Sequence, residues 1–239
     1  MTTEATTLEY LGNELELFQE ATCWKTYFAS HLRPYLTGRV LEVGAGIGGT
    51  SRVLCRSDIE SWTMLEPDPG LARRLQESLG NEPLPIPYDV RIGTTDDLQG
   101  DAFSALLYID VIEHIEFDAA ELERAAGLLV PGGHLIILVP AHQWLYTPFD
   151  KAIGHFRRYS RSSLRAVIPS SLQCQKLIYL DSVGLLASLA NRLLLNAAVP
   201  TRRQIQFWDK VLVRSSRWMD PLLLHSIGKS VVGVWRKPE

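Results

Sequence analysis

An α/β fold on a doubly wound, mostly parallel sheet is predicted by two features of this 239-residue chain. From Arg39 to Val139, short apolar runs alternate with stretches of helical character, the pattern produced by parallel strands joined through covering helices. The first run, Val40-Leu41-Glu42-Val43, stops at Gly44-Ala45-Gly46-Ile47-Gly48-Gly49. A strand that opens through glycines into a helix start lets backbone approach a ligand at the carboxyl end of the sheet, where a Cβ would exclude it.

In chain order, Leu8 to Leu36 reads as one or two helices carrying Trp24, Tyr27 and Phe28. Such an aromatic stripe either packs into the core or lies over a ligand as a lid, with Tyr10, Trp24 and Lys25 the residues facing it. After the glycine loop, Thr50 to Cys55 suits a helix, and Trp62-Thr63-Met64-Leu65 is a second strand ending in Glu66-Pro67-Asp68. A turn at Gly93 to Leu98 precedes a fourth strand, Ala105 to Ile109, which leads into Asp110-Val111-Ile112-Glu113-His114-Ile115. Leu128 to Gly133 reads as a turn and His134 to Val139 as the next strand. Gln175 to Leu180 and Ser230 to Trp235 close the sheet, with about 45 residues between them, far beyond hairpin length. Within that interval Leu185 to Leu195 is apolar and helical, while Asp181, Asn191, Arg192 and Asn196 make it a poor membrane span.

Gly44, Gly46 and Gly49 satisfy G-x-G-x-x-G, which NAD sites share with other nucleoside sites. Glu42 separates them: a carboxylate two residues before the first glycine sits badly under a pyrophosphate and suits a cationic ligand. An acid at Glu66 offers two oxygens to a ribose diol. With V-L-E-V-G-A-G-I-G, Glu66, Gly93-Thr94-Thr95-Asp96-Asp97-Leu98 and Asp110 to Ile115 in this order, the chain resembles the class I S-adenosylmethionine-dependent methyltransferases from Val40 to Pro140.

The resemblance implies a Rossmann-like, seven-stranded, mostly parallel sheet with helices on both faces. It also implies an N-terminal helical lid (1–37), a cofactor-binding core (38–181), a helical insertion or substrate lid between the last two strands (182–227), and the last strand of the core sheet (228–239). S-adenosylmethionine would be held by Glu42, Gly44, Ala45, Gly46, Glu66, Pro67 and Asp110, with Thr95 and Asp96 at the adenine.

Methyl transfer from a sulfonium is a direct displacement, so alignment supplies much of the acceleration, and a hydroxyl acceptor also needs a base or a Lewis acid. His114, His142 and His155 are the candidate catalytic side chains. Asp110, Glu113 and His114 in D-x-x-E-H spacing, with His155 later, resemble the E-x-x-E-H plus His pattern of metal-dependent O-methyltransferases such as those of the ubiquinone pathway. That resemblance implies Mg²⁺ or Mn²⁺ on Asp110, Glu113, His114 and His155, although Asp110 is one methylene shorter than the Glu of that pattern. Without a metal, Glu113 and His114 would instead cap the following helix. O-methylation of a small-molecule, lipid-linked or glycan-linked acceptor is the leading expectation. N-methylation of a small molecule, nicotinamide-dependent redox chemistry and a non-catalytic cofactor-binding module are the alternatives.

Nearly half the residues are apolar (46%) and the net charge is −3, which excludes a disordered chain and an overall basic nucleic-acid binder. No nucleic-acid partner is expected. Three cysteines without paired spacing favour a reducing cytoplasm, and Glu4, Glu9, Glu14 and Glu16 do not make the start of a secretion signal. From Pro200 onward Arg202, Arg203, Lys210, Arg214 and Arg217 interleave with Phe207, Trp208, Val211 and Trp218. That pattern suits a basic amphipathic helix that closes over substrate, contacts a second copy, or lies peripherally on a membrane.

Overall fold

The computed structural model describes residues 19–98, 100–194 and 201–239. Residues 1–18 of the expected N-terminal lid, Tyr10 included, lie outside the described residues, as does Leu195 at the end of the apolar helix.

Five strands run parallel: β1 (Arg39–Val43), β2 (Ser61–Glu66), β3 (Tyr88–Ile92), β4 (Phe103–Ile109) and β5 (Leu129–Pro140). The last two are β6 (Gln173–Leu180) and β7 (Ser230–Arg236), and β7 lies antiparallel to both β5 and β6. The spatial order is β3-β2-β1-β4-β5-β7-β6, the expected seven-stranded Rossmann-like sheet, whose strand order reverses between β1 and β4. Ligands bind such sheets at this switch point, beyond the carboxyl ends of the strands.

Central strands are apolar on both faces because helices cover both. Val40, Trp62, Met64, Leu107 and Ile136 pack toward α1 (Thr22–Leu32), whose Trp24, Tyr27, Phe28 and Leu32 are buried with them. Leu41, Leu65, Leu106 and Ile137 pack with Leu122 and Ala125 on the opposite face. The aromatic stripe is therefore core. Residues Ser51–Leu54 (α2) follow the glycine loop, and α3 (Pro69–Asn81) starts where the Asp68 carboxylate accepts the Gly70 and Leu71 amides, with Pro69 in the first turn. Asp118–Leu128 (α4) leads directly into β5.

The turn expected at Leu128 to Gly133 is instead the irregular start of β5. Leu129 pairs with Phe103 and the register then jumps to His134 opposite Ala105. Gly132, at φ +79, absorbs the bulge, and the Gly132 amide donates to Lys237 while the Lys237 amide donates to Gly133.

Short helices α5 (Pro148–Ala152) and α6 (Arg161–Val167) separate β5 from β6. The expected insertion holds α7 (Ser182–Leu194), then α8 (Arg202–Phe207), a π-helical turn at Trp208–Val213, and α9 (Arg214–Leu222). Among the described residues no helix is long and apolar enough to cross a membrane.

Candidate functional site

Gly44 and Gly46 leave β1 with φ of +67° and +56°. A Cβ on Gly44 would stand 2.7 Å from a Val111 methyl, so the loop from β1 and the loop from β4 touch where the sheet reverses. Beside them, Glu66 ends β2 with one oxygen accepting the Gly46 amide at 2.7 Å and the other the Asp68 amide at 3.0 Å. Burial raises its pKa against the pull of those two amides. The carboxylate is thereby locked in one orientation with a lone pair free on each oxygen, as a ribose diol requires. Ala45 is buried in the loop, and Pro67 is exposed at the exit from β2.

Glu42 lies beneath the loop. Its Oε2 accepts the Ser51 hydroxyl at 2.5 Å and the Trp62 indole N–H at 2.8 Å, and burial pushes its pKa up to about 7 against those bonds and the nearby Lys25 ammonium. The loop thus sits over a buried acid, a field that favours a cation above it.

Of the pair expected at the adenine, only one residue faces outward. Thr95 is buried and its hydroxyl donates to Glu121, whose Oε1 also accepts the Tyr108 hydroxyl at 2.7 Å. The Thr95 side chain is therefore spent on packing α4 against the sheet. Asp96 is exposed and pairs with Arg124 at 3.0 Å.

Asp110, at φ +55°, follows β4 with its amide bonded to Leu138. The residue is exposed, yet the protein atoms packed around its carboxyl lift its pKa to about 6 against the pull of His155 and Lys229. Three residues further on, Glu113 is wholly buried, with no hydrogen-bond partner for either carboxylate oxygen among the described residues. One ligating atom each of Glu113, His114 and His155 lies within 4.8 Å of the others, and the two imidazoles stand edge to face at 4.5 Å. Asp110 is outside this cluster, so the expected four-residue set reduces to three. Burial first, then the negative charge of Asp110, raises Glu113 well above the usual carboxylate range. Burial lowers His114 to about 4, which keeps it neutral, as a metal ligand must be.

His142 is not part of that cluster. Its Nε2 meets the Gly228 carbonyl at 2.9 Å, and its ring stacks on Tyr179 at 5.1 Å and leans on Trp144. The expected trio of histidines is a pair and a separate ring. Neither Glu113 nor His114 caps α4, whose preceding residue, Phe117, makes no side-chain cap, so the helix-capping alternative fails.

A family profile described as "Methyltransferase domain" matches residues 18–169, more than half of the chain. The chain belongs to the class I S-adenosylmethionine-dependent methyltransferases. Among curated proteins it is 30% identical over 117 residues to a ubiquinone biosynthesis O-methyltransferase of Paramagnetospirillum magneticum, covering 46% of each chain. It thus spans about half the length of that relative. Similar solved structures include a coclaurine N-methyltransferase bound to N-methylheliamine and SAH (TM-score 0.62, 12% identity, 91% of this chain and 72% of that one). Another is the N-methyltransferase NodS of Bradyrhizobium japonicum (TM-score 0.56, 12% identity, 95% and 100%). These structural likenesses establish the fold.

Two groups of the methyltransferase site escape a reading of the sequence. Asp150 is buried and accepts His155 Nδ1 at 3.0 Å, Arg158 Nε at 2.8 Å and the Thr147 amide at 2.8 Å. Burial would raise its pKa, but the bonds from His155 and Arg158 outweigh it and hold the carboxyl well below the usual range. An aspartate that fixes one ring nitrogen leaves the other, His155 Nε2, directed at Glu113, 3.9 Å away. The Thr147-to-Asp150 capping box was the local signal for Asp150, but it pointed only to a helix start. Lys229 is the second: its ammonium lies 4.6 Å from the Trp208 ring, burial lowers its pKa, and Asp181 and Asp110 pull it back up.

Proposed function

We propose that this methyltransferase moves the methyl group of S-adenosylmethionine to a hydroxyl oxygen of a small-molecule, lipid-linked or glycan-linked acceptor. The observation that carries the reading is the buried, unpartnered Glu113 carboxylate beside two imidazoles, because burying a carboxylate with neither oxygen satisfied is costly unless a cation or donor completes it. The donor set, one carboxylate and two imidazoles, fits a divalent transition cation such as Mn²⁺ better than Mg²⁺, which prefers oxygen ligands, and when bound such a cation would supply Lewis-acid polarisation of the acceptor oxygen.

The protein's own groups do the remaining work. Glu66 and the Gly44 to Gly46 loop orient the methyl donor, and Glu42 biases the pocket toward its positive charge. Asp150 fixes the His155 tautomer, and burial keeps His114 neutral. Asp110, exposed and raised to about 6, receives the hydroxyl proton on its carboxylate near neutral pH.

Calorimetry with S-adenosylhomocysteine and with NADH, then with Mn²⁺ before and after Glu113→Gln, tests the reading. Micromolar S-adenosylhomocysteine binding without NADH competition is expected, with Mn²⁺ binding lost in the variant. Competition by NADH would overturn the donor assignment. Turnover of primary amines with no response to a chelator, while ortho-dihydroxy aromatics stay inert, would replace the oxygen acceptor by nitrogen.

A further inference from the structure

The helical segment 202–222 carries its polarity inside out. The residues turned to the protein are Ile205, Asp209, Val213, Ser216 and Asp220, all buried. Both acids are consumed there. Asp209 accepts the Cys23 and Trp24 amides at the start of α1. Asp220 accepts the Asp181 and Ser182 amides ahead of α7 and the Tyr27 hydroxyl. These bonds fix which way the helix is rotated.

The same rotation forces an apolar stripe outward: Phe207 (57% exposed), Val211, Trp218 (81%) and Leu222 (76%), continued by Leu224 (84%) in the next turn. Spacings of four, seven and four residues put Phe207, Val211, Trp218 and Leu222 on one side of the helix. Scattered exposed apolar residues are ordinary, but a periodic stripe of them is a contact surface. Arg203, Lys210, Arg214 and Arg217 are exposed alongside it and form no ion pair among the described residues. With Asp209 and Asp220 turned inward, the outer surface of the helix is purely cationic. Arg214, Arg217 and Trp218 also line an open groove of about 550 Å³.

We propose that this outer face docks on the surface of an anionic lipid bilayer. Trp218, Leu222 and Leu224 would enter the headgroup boundary, and Arg214 and Arg217 would pair with lipid phosphates in the groove between them. The chemistry is that of an interfacial helix: an indole at the water boundary, aliphatic side chains below it and cations flanking it. An anionic surface complements the exposed Arg203, Arg214 and Arg217, whereas a second copy of the same face would set those cations against each other. The inference does not depend on which atom is methylated.

Sedimentation with phosphatidylcholine vesicles, with and without phosphatidylglycerol, at low and high salt, tests it. Binding only to the phosphatidylglycerol vesicles, weakened by salt, is expected. Arg214→Ser with Arg217→Ser should lower partitioning roughly thirty-fold, and Trp218→Ser with Leu222→Ser should abolish it. All four side chains are exposed, so urea unfolding and S-adenosylhomocysteine affinity should be unchanged in both variants. Absence of binding to either vesicle, equal binding to both, or a dimer in ultracentrifugation that Trp218→Ser dissolves would overturn the proposal. Each of these results leaves the methyltransferase reading intact.

Discussion

Replacing Glu42 by Gln should make the protein more stable at alkaline pH and a poorer host for a cationic donor. The carboxyl is buried under the glycine loop, and its pKa rises from 4.5 to about 7, so forcing it to ionise costs about 3 kcal/mol. Between those two values the native state keeps a proton that the unfolded chain has lost, so stability declines as pH climbs from 4.5 to 7 and stays lower above. A glutamine oxygen can still accept the Ser51 hydroxyl and the Trp62 indole, so shape and hydrogen bonds persist. The variant should match wild type near the ordinary carboxylate value and exceed it by about 3 kcal/mol at alkaline pH, a melting temperature higher by roughly 6–12 °C for a chain of this size. Urea unfolding followed by tryptophan fluorescence across this pH range measures the difference directly. In parallel, calorimetry should show S-adenosylmethionine, which carries the sulfonium, losing more affinity than S-adenosylhomocysteine, which does not. A stability difference that stays constant with pH would refute the reasoning, because it would mean that burial does not raise the Glu42 pKa.

Gly44→Ala places a Cβ 2.7 Å from Val111 at φ +67°, so it should cost about 1–3 kcal/mol and weaken S-adenosylhomocysteine binding, both readable in a thermal melt with and without ligand. Glu113→Gln should leave the urea midpoint in chelator unchanged or higher at neutral pH, since it removes a carboxyl that burial already disfavours in its charged form, while abolishing any stabilisation by Mn²⁺. Asp150→Asn should destabilise by about 3 kcal/mol by stranding Arg158 and lower turnover roughly a hundred-fold by releasing the His155 ring. Because the Asp150 pKa is depressed, its contribution is complete above 3.8 and is lost as pH falls below that value, so the variant should show a flatter acid limb in unfolding.

What the sequence determined by itself is local. Backbone that must adopt positive φ or approach a ligand closely demands glycine, so Gly44 and Gly46 marked the loop, and strands buried on both faces demand uninterrupted apolar runs, so β1, β2, β4 and β5 were legible, whereas β3, an edge strand of mostly exposed Tyr88-Asp89-Val90-Arg91-Ile92, was not. An acid at the end of the second run was enough to place Glu66. Adjacency in the chain put Glu113 and His114 in one short turn. Tertiary structure decided the rest, because it depends on partners distant in the chain. His155 joins Glu113 only because Asp150 and Arg158 anchor its loop, and His142 leaves the cluster because Gly228 and Tyr179 hold its ring. Thr95 turns inward because Glu121 waits on α4. In the insertion, a basic amphipathic pattern was visible, yet periodicity alone does not say which side of a helix is buried. Asp209 and Asp220 settled that by hydrogen-bonding amides at the starts of two other helices, a pairing strong enough to bury charge and leave tryptophan and leucine outside.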